Sequence, residues 1–261
     1  MFEEKLAQKY SETYKEIKTF IINGSLINVD ETKVNIVGLS SGYVWVFTNH
    51  DTVLFLFMPT REATFLQEFL KEFKGILISD FYTGYDSIDC RQQKCLIHLI
   101  RDLNKDLFEN QLDFEFKTIV LSFGKLLRTV METINKYGLK KRHLNKHKKD
   151  VERFYTITLN PEFKSEMAQK CKKRFLKNKD KLFTFLEYDD IPWNNSNAEH
   201  AIKTFANYRK IADGRMRVNG LENHLILLSI LQTCKYRGID FLEFLKSGEK
   251  SIFSYTGKSC W

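Results

Sequence analysis

The sequence predicts an α/β protein, with a mixed five-stranded sheet flanked by helices and an all-helical insertion before the last helix of the core. Three observations predict it. Three short extended segments, rich in β-branched and aromatic residues, follow one another with turn residues between them. A helix and then a brief apolar strand come next, the order of a crossover between parallel strands. From about residue 109 to 187 the pattern is helical, with no strand alternation.

Taken in order, residues 3–20 place Leu6, Tyr10, Tyr14, Ile17 and Phe20 at helical spacing, and Asn23-Gly24-Ser25 breaks the helix. Strands are expected over Leu26 to Val37, Gly42 to Thr48 and Thr52 to Met58. Gly38-Leu39-Ser40-Ser41-Gly42 and Asn49-His50-Asp51 turn them into a meander. Pro59-Thr60 starts a helix with Phe65, Leu66, Phe69, Leu70 and Phe73 on one face, ended by Gly75. The strand Ile76 to Ser79 should then lie parallel to the first. A fifth strand over Gln92 to Ile97 runs into a helix from His98 to Phe108. A meander, a helix and a parallel strand ending in an acid form the opening of a ribonuclease H-like fold.

The insertion starts with one long helix marked by Phe116, Ile119, Val120, Phe123, Leu126, Leu127, Val130 and Ile134, stopped near Gly138. Helices over 139–156 and from Pro161 to Glu187 follow. Beyond Asp189-Asp190-Ile191-Pro192 come a helix bearing Glu199, a Gly214/Gly220 loop and an apolar helix from Glu222 to Tyr236. A short helix from Phe241 to Leu245 precedes a loose tail from Ser247. The expected organisation is an N-terminal helix (1–24), a core in two parts (25–108 and 189–246), a basic helical insertion (109–188) and a tail (247–261).

Composition narrows the function classes. With 43% hydrophobic and 14% aromatic residues the chain can fill a core, which excludes global disorder. The net charge of +8 favours a polyanionic partner. That charge is local: between Lys136 and Lys181 there are 16 Lys or Arg against 5 Asp or Glu, so the remainder is slightly acidic. Five scattered cysteines and an N-terminus without a signal-peptide pattern suggest a reduced, cytoplasmic setting. The longest apolar run, Val53 to Met58, is too short for a membrane span. No Gly-rich phosphate loop, Gly-x-Ser-x-Gly or His-Glu-x-x-His occurs, so nucleotide hydrolysis, serine esterase and zincin chemistry get no support.

Three acids stand in separate settings: Asp30 in the first strand, Asp80 at the end of a later strand, and Glu199 in the first turn of a late helix. Such carboxylates can converge on two Mg2+ ions, hard cations that prefer oxygen ligands and support in-line phosphoryl transfer. The bland alternative stays open from these residues alone: a solvated strand residue, a turn residue, and a first-turn acid favoured by the helix dipole.

Ordered motifs add to this. Ser79-Asp80-Phe81-Tyr82-Thr83-Gly84-Tyr85-Asp86, Cys95-Leu96-Ile97-His98 and Asn194-Asn195-Ser196-Asn197-Ala198-Glu199-His200-Ala201-Ile202-Lys203 occur in that order. Arg209-Lys210 and an apolar helix ending in Gly238-Ile239-Asp240 follow. Together they resemble the DDE transposases of bacterial insertion sequences, in particular the group whose last acid follows an Asn-Asn pair. Val29-Asp30-Glu31-Thr32 looks like that group's first-acid motif. The resemblance spans about residues 25–246. It implies Asp30, Asp80 and Glu199 as catalytic ligands of two Mg2+, with Mn2+ as substitute. It also implies cleavage of double-stranded DNA at element ends, joining to target DNA, and self-association on the DNA. Such enzymes usually carry an N-terminal DNA-binding region, whereas about 24 residues precede the first strand here, as in a truncated or split form.

Cys95 and His98 form a Cys-x-x-His step expected to support the site; structural zinc is disfavoured because no second ligand pair is visible. Arg209 and Lys210 either clamp phosphate near Glu199 or cap a helix end. Tyr82 and Tyr85 are expected in the core, and His143 and His147 on a solvated surface. Within the insertion, Lys140, Lys141, Arg142, Lys146, Lys148, Lys149, Lys172, Lys173 and Arg174 are expected to bind the DNA backbone through phosphate. The alternatives to a transposase are a non-catalytic DNA-binding remnant of one and a host structure-specific nuclease.

Overall fold

A computed structural model of the chain describes residues 2–39, 41–212 and 216–257, so Ser40, Gly214 and Cys260 lie outside the described residues. Five strands form one mixed sheet in the order β3-β2-β1-β4-β5, with β1 at Leu26–Val34, β2 at Gly42–Thr48, β3 at Val53–Met58, β4 at Ile76–Ser79 and β5 at Arg91–Lys94. β1 pairs antiparallel with β2, and β2 with β3; β1 runs parallel to β4, with Asn28 opposite Ile78. This is the α/β, ribonuclease H-like arrangement expected from the meander and crossover.

By contact density the chain divides into two units. The first is Met1–Cys90 with Asn195–Trp261; the second is Arg91–Asn194. In the first unit, period-two alternation assigns β1 and β2 side chains to opposite faces. Ile27, Val29, Trp45 and Phe47 enter one core with Tyr10, Ile17, Leu66 and Phe69. Val44, Val46, Val53 and Phe55 enter another with Ala198, Ala201, Ile202 and Phe205. The helices covering these faces are α1 (Phe2–Lys9), α2 (Ser11–Ile22), α3 (Ala63–Phe69), α10 (Ser196–Ile211), α11 (Val218–Tyr236) and α12 (Phe241–Ser247).

The second unit is built on α4 (Leu96–Glu109) and the long α5 (Phe114–Tyr137). Asp113 caps α5 by accepting from the Phe116 amide at 2.9 Å. Gly138 ends it at φ 69°, a left-handed backbone that a glycine adopts without penalty. Phe123 meets Phe154 and Phe175 at 5.9 and 4.9 Å between ring centroids, which anchors α8 (Glu166–Lys177) and the segment before it.

Several boundaries differ from expectation. The single helix over 3–20 is two, broken at Tyr10, whose ring is buried and whose hydroxyl donates to the Leu245 carbonyl at 2.7 Å. The helix expected over 139–156 is a series of short turns. These are α6 (Lys141–Leu144), a 3-10 turn (Asn145–His147), α7 (Lys148–Arg153) and a π-helical turn (Phe154–Thr158). The helix expected from Pro161 to Glu187 is α8, α9 (Lys179–Leu182) and a 3-10 turn at Thr184–Leu186. Nor is the tail loose where it is described. Ile252 is buried, its amide donates to Glu16 at 3.0 Å, and Phe253 stacks on Phe20 at 4.1 Å.

Candidate active site

Asp30 and Asp80 come together through the parallel β1–β4 ladder. The pairing ends at Asn28–Ile78, two residues short of both acids, and Asp80, the residue after β4, acts electrostatically on Asp30. Alternation turns Asp30 toward the face that carries α10, because Val29 and Glu31 face the other way. Glu199 lies in the first turn of α10. Its amide donates to the Asn195 carbonyl at 3.1 Å.

What holds α10 in place is a set of asparagines. Asn195, buried, donates to the Val29 carbonyl at 2.7 Å and accepts from the Asn28 side chain at 3.1 Å. Asn197 donates to the Asn49 carbonyl at 2.6 Å and accepts from the Tyr236 hydroxyl at 3.0 Å. The start of the helix is thus tied to β1, to the β2–β3 turn and to α11. The two Asn195 bonds satisfy buried polar groups that would otherwise cost about 1–3 kcal/mol each.

The electrostatics follow from this crowding. Burial first, then the neighbouring Glu31 carboxylate, with smaller effects from Asp80 and Glu199, raises the Asp30 carboxyl to about 7 against the lowering effect of the Glu31 amide. That amide donates to Asp30 Oδ1 at 2.9 Å. Asp80 accepts from the Tyr82 amide at 2.8 Å. Asp30 therefore senses both of the other acids.

Glu31, Arg61 and Tyr85 are neighbours that sequence reasoning did not single out as site residues. Burial raises the Glu31 carboxyl, against bonds from Tyr85 and Arg61. Burial and the Glu31 carboxylate hold the Tyr85 hydroxyl well above its ordinary range, so it remains a donor. The signal was the adjacent Asp30-Glu31 pair in a strand, which alternation must divide between two faces.

Of the supporting residues, Arg209 donates to Thr32 Oγ1 at 2.9 Å and to the Lys33 carbonyl, so it ties the last turn of α10 to β1. Lys210 is exposed beside it. Cys95 is buried at the start of α4 and His98 sits in that helix's first turn, both in the second unit. Tyr85 is buried in the core, as expected, edge-on to Trp45 at 6.1 Å.

The predicted phosphate contacts divide by pairing. Lys140 bonds Asp190 at 2.9 Å, Lys148 bonds Glu187 at 2.9 Å, and Arg174 bonds Asp102 at 2.7 Å. Lys172 donates to the Pro161 carbonyl at 2.9 Å, and Arg142 donates to His143 at 3.0 Å. Lys141, Lys146, Lys149 and Lys173 are exposed. His147 is not on the surface as expected. It is 2% exposed and bonded through Nε2 to Thr133 at 2.8 Å and through Nδ1 to Asp150 at 3.1 Å. The broken helical path around it turns its ring inward.

Fold and acids together define a ribonuclease H-like protein in which Asp80 and Glu199 act electrostatically on Asp30. A model of the Transposase IS66 family matches residues 2–222, and the chain belongs to that family. Over 80 residues it is also 32% identical to an uncharacterized protein, y4jO, of Sinorhizobium fredii (strain NBRC 101917 / NGR234). That match covers 31% of this chain and spans only 25% of the relative's length. No solved structure matches. Among the described residues no helix is long and apolar enough to cross a membrane.

Proposed function

We propose that the chain is the catalytic part of a DDE-type transposase, cutting double-stranded DNA at element ends and joining the freed 3′ hydroxyl to target DNA. The observation that supports this is that Asp80 and Glu199 both act electrostatically on the largely buried Asp30, with Glu199 carried by α10, which packs against β1 and β2.

The donor set suits two Mg2+ ions, or Mn2+ in their place. It consists of hard carboxylate oxygens, and Asp80 and Glu199 add like charge near the buried Asp30 that a divalent cation would offset. Bound there, two such ions would neutralise the phosphodiester and activate the attacking oxygen. The protein's own part is positioning. Asp80 is oriented by the Tyr82 amide, and Glu199 is fixed by the anchored start of α10. The exposed lysines of the second unit supply phosphate contacts without base readout. Self-association on paired ends and a cytoplasmic, nucleoid-associated setting belong to the same reading.

The test is plasmid nicking and strand joining with Mg2+ or Mn2+. Asp80→Asn and Glu199→Gln should each lower the rate by about a hundredfold or more while DNA binding persists. Equal rates in variant and parent would refute the catalytic assignment. Metal-independent binding with no cutting by the parent would favour a DNA-binding remnant.

A further inference from the structure

Glu31 follows Asp30 directly, and alternation sends its side chain to the opposite sheet face. There the side chain is 4% exposed and both oxygens are engaged. Oε1 accepts from Arg61, with Nε at 2.7 Å, and Oε2 accepts from the Tyr85 hydroxyl. Tyr85 belongs to the 3-10 turn Thr83–Ser87 that follows Asp80, and it meets Tyr82 edge-on at 5.5 Å. The Arg61 guanidinium lies 3.9 Å from the centroid of the Tyr82 ring, and the Tyr82 hydroxyl donates to the Arg61 carbonyl. The Tyr82 amide in turn donates to Asp80 Oδ1 at 2.8 Å. A continuous set of contacts leads from Glu31 to a carboxylate oxygen of Asp80. Gly84 confines it, since a side-chain carbon at that position would collide with the Tyr82 ring.

Stability alone is a poor reason for this arrangement, because replacing a buried ion pair with apolar residues is often neutral or stabilising. With both oxygens occupied, Glu31 is also no open ligand. We infer that Glu31 is a positioning residue for the acidic site. Through Tyr85, Arg61 and Tyr82 it fixes the turn after β4 and so the direction in which Asp80 presents its carboxylate to a divalent cation. This rests on the reading of Asp80 as a cation-holding residue.

The experiment is titration of the full chain with Mn2+ alone, following free Mn2+ by electron paramagnetic resonance. Glu31→Gln should weaken binding by about tenfold, and Tyr85→Phe by a smaller factor. Because Glu31 acts through Asp80, Glu31→Gln should have no further effect in an Asp80→Asn background. Parental affinity in both single variants would overturn the inference. So would an equal loss from Glu31→Gln in the two backgrounds, which marks a merely structural effect. Should Glu31→Gln fail to fold, Tyr85→Phe alone and in the Asp80→Asn background decides by the same criteria. If Asp80→Asn itself binds Mn2+ like the parent, the triad assignment is at fault. The inference then falls with it, a result separate from the behaviour of the Glu31 variants.

Discussion

Asp30 holds a proton across a pH range where an ordinary aspartate has lost it. Its carboxyl titrates near 7 in the fold against 3.8 normally. Between those values the folded chain binds a proton that the unfolded chain has released. The cation-free protein should therefore be most stable, as far as this group decides it, below about pH 4. It should lose that stability as pH rises through 7. Partial exposure reduces the effect to something on the order of 2 kcal/mol. Thermal melts of chelator-treated protein from pH 5.5 to 8 should show the decline, and Asp30→Asn should flatten it. Added Mg2+ should restore the melting temperature at pH 8 in the parent only. A parent curve as flat as the variant's would refute the account.

At the scale of elements, α10 depends on polar anchors more than its sequence suggests. Asn195→Ala removes the bond to the Val29 carbonyl and strands the Asn28 amide, which should cost about 1–3 kcal/mol and lower the melting temperature. An unchanged melting temperature would mean that the apolar contacts of Ala198, Ala201, Ile202 and Phe205 suffice. The strands, the crossover and α5 were legible because a single periodicity governs each of them. The Asn-Asn pair was visible as a motif, but its anchoring role was not, since that depends on β1 atoms more than 160 residues away. The helices after Gly138 were misread for a local reason. Lysine-rich stretches have helical propensity throughout, while side-chain bonds such as that of His147 to Thr133 decide where the path breaks. The Glu31 contacts were hidden by the same long range, because Arg61 and Tyr85 reach β1 from separate segments.

For the whole molecule, the division of charge gives the proposed DNA binding a testable form. If the exposed lysines of the second unit contact phosphate, affinity should fall steeply with salt. Replacing Lys146 and Lys149 by alanine should reduce the salt slope by about one per residue, evenly across DNA sequences. Fluorescence anisotropy between 50 and 200 mM salt, on the order used for counterion release, reads this directly. An unchanged slope would exclude both as phosphate contacts. The second unit, residues 91–194, falls in the chain between the two parts of the first unit, which also has a consequence in time. A ribosome adds roughly 5–20 residues per second, so Asp30 and Asp80 leave it several seconds before Glu199 exists. Any chain released in that interval carries two acids of three and lacks α10. If the three acids act as proposed, an unfinished copy could not cut the genome that encodes it, a safeguard that would follow from the order in which the pieces are made.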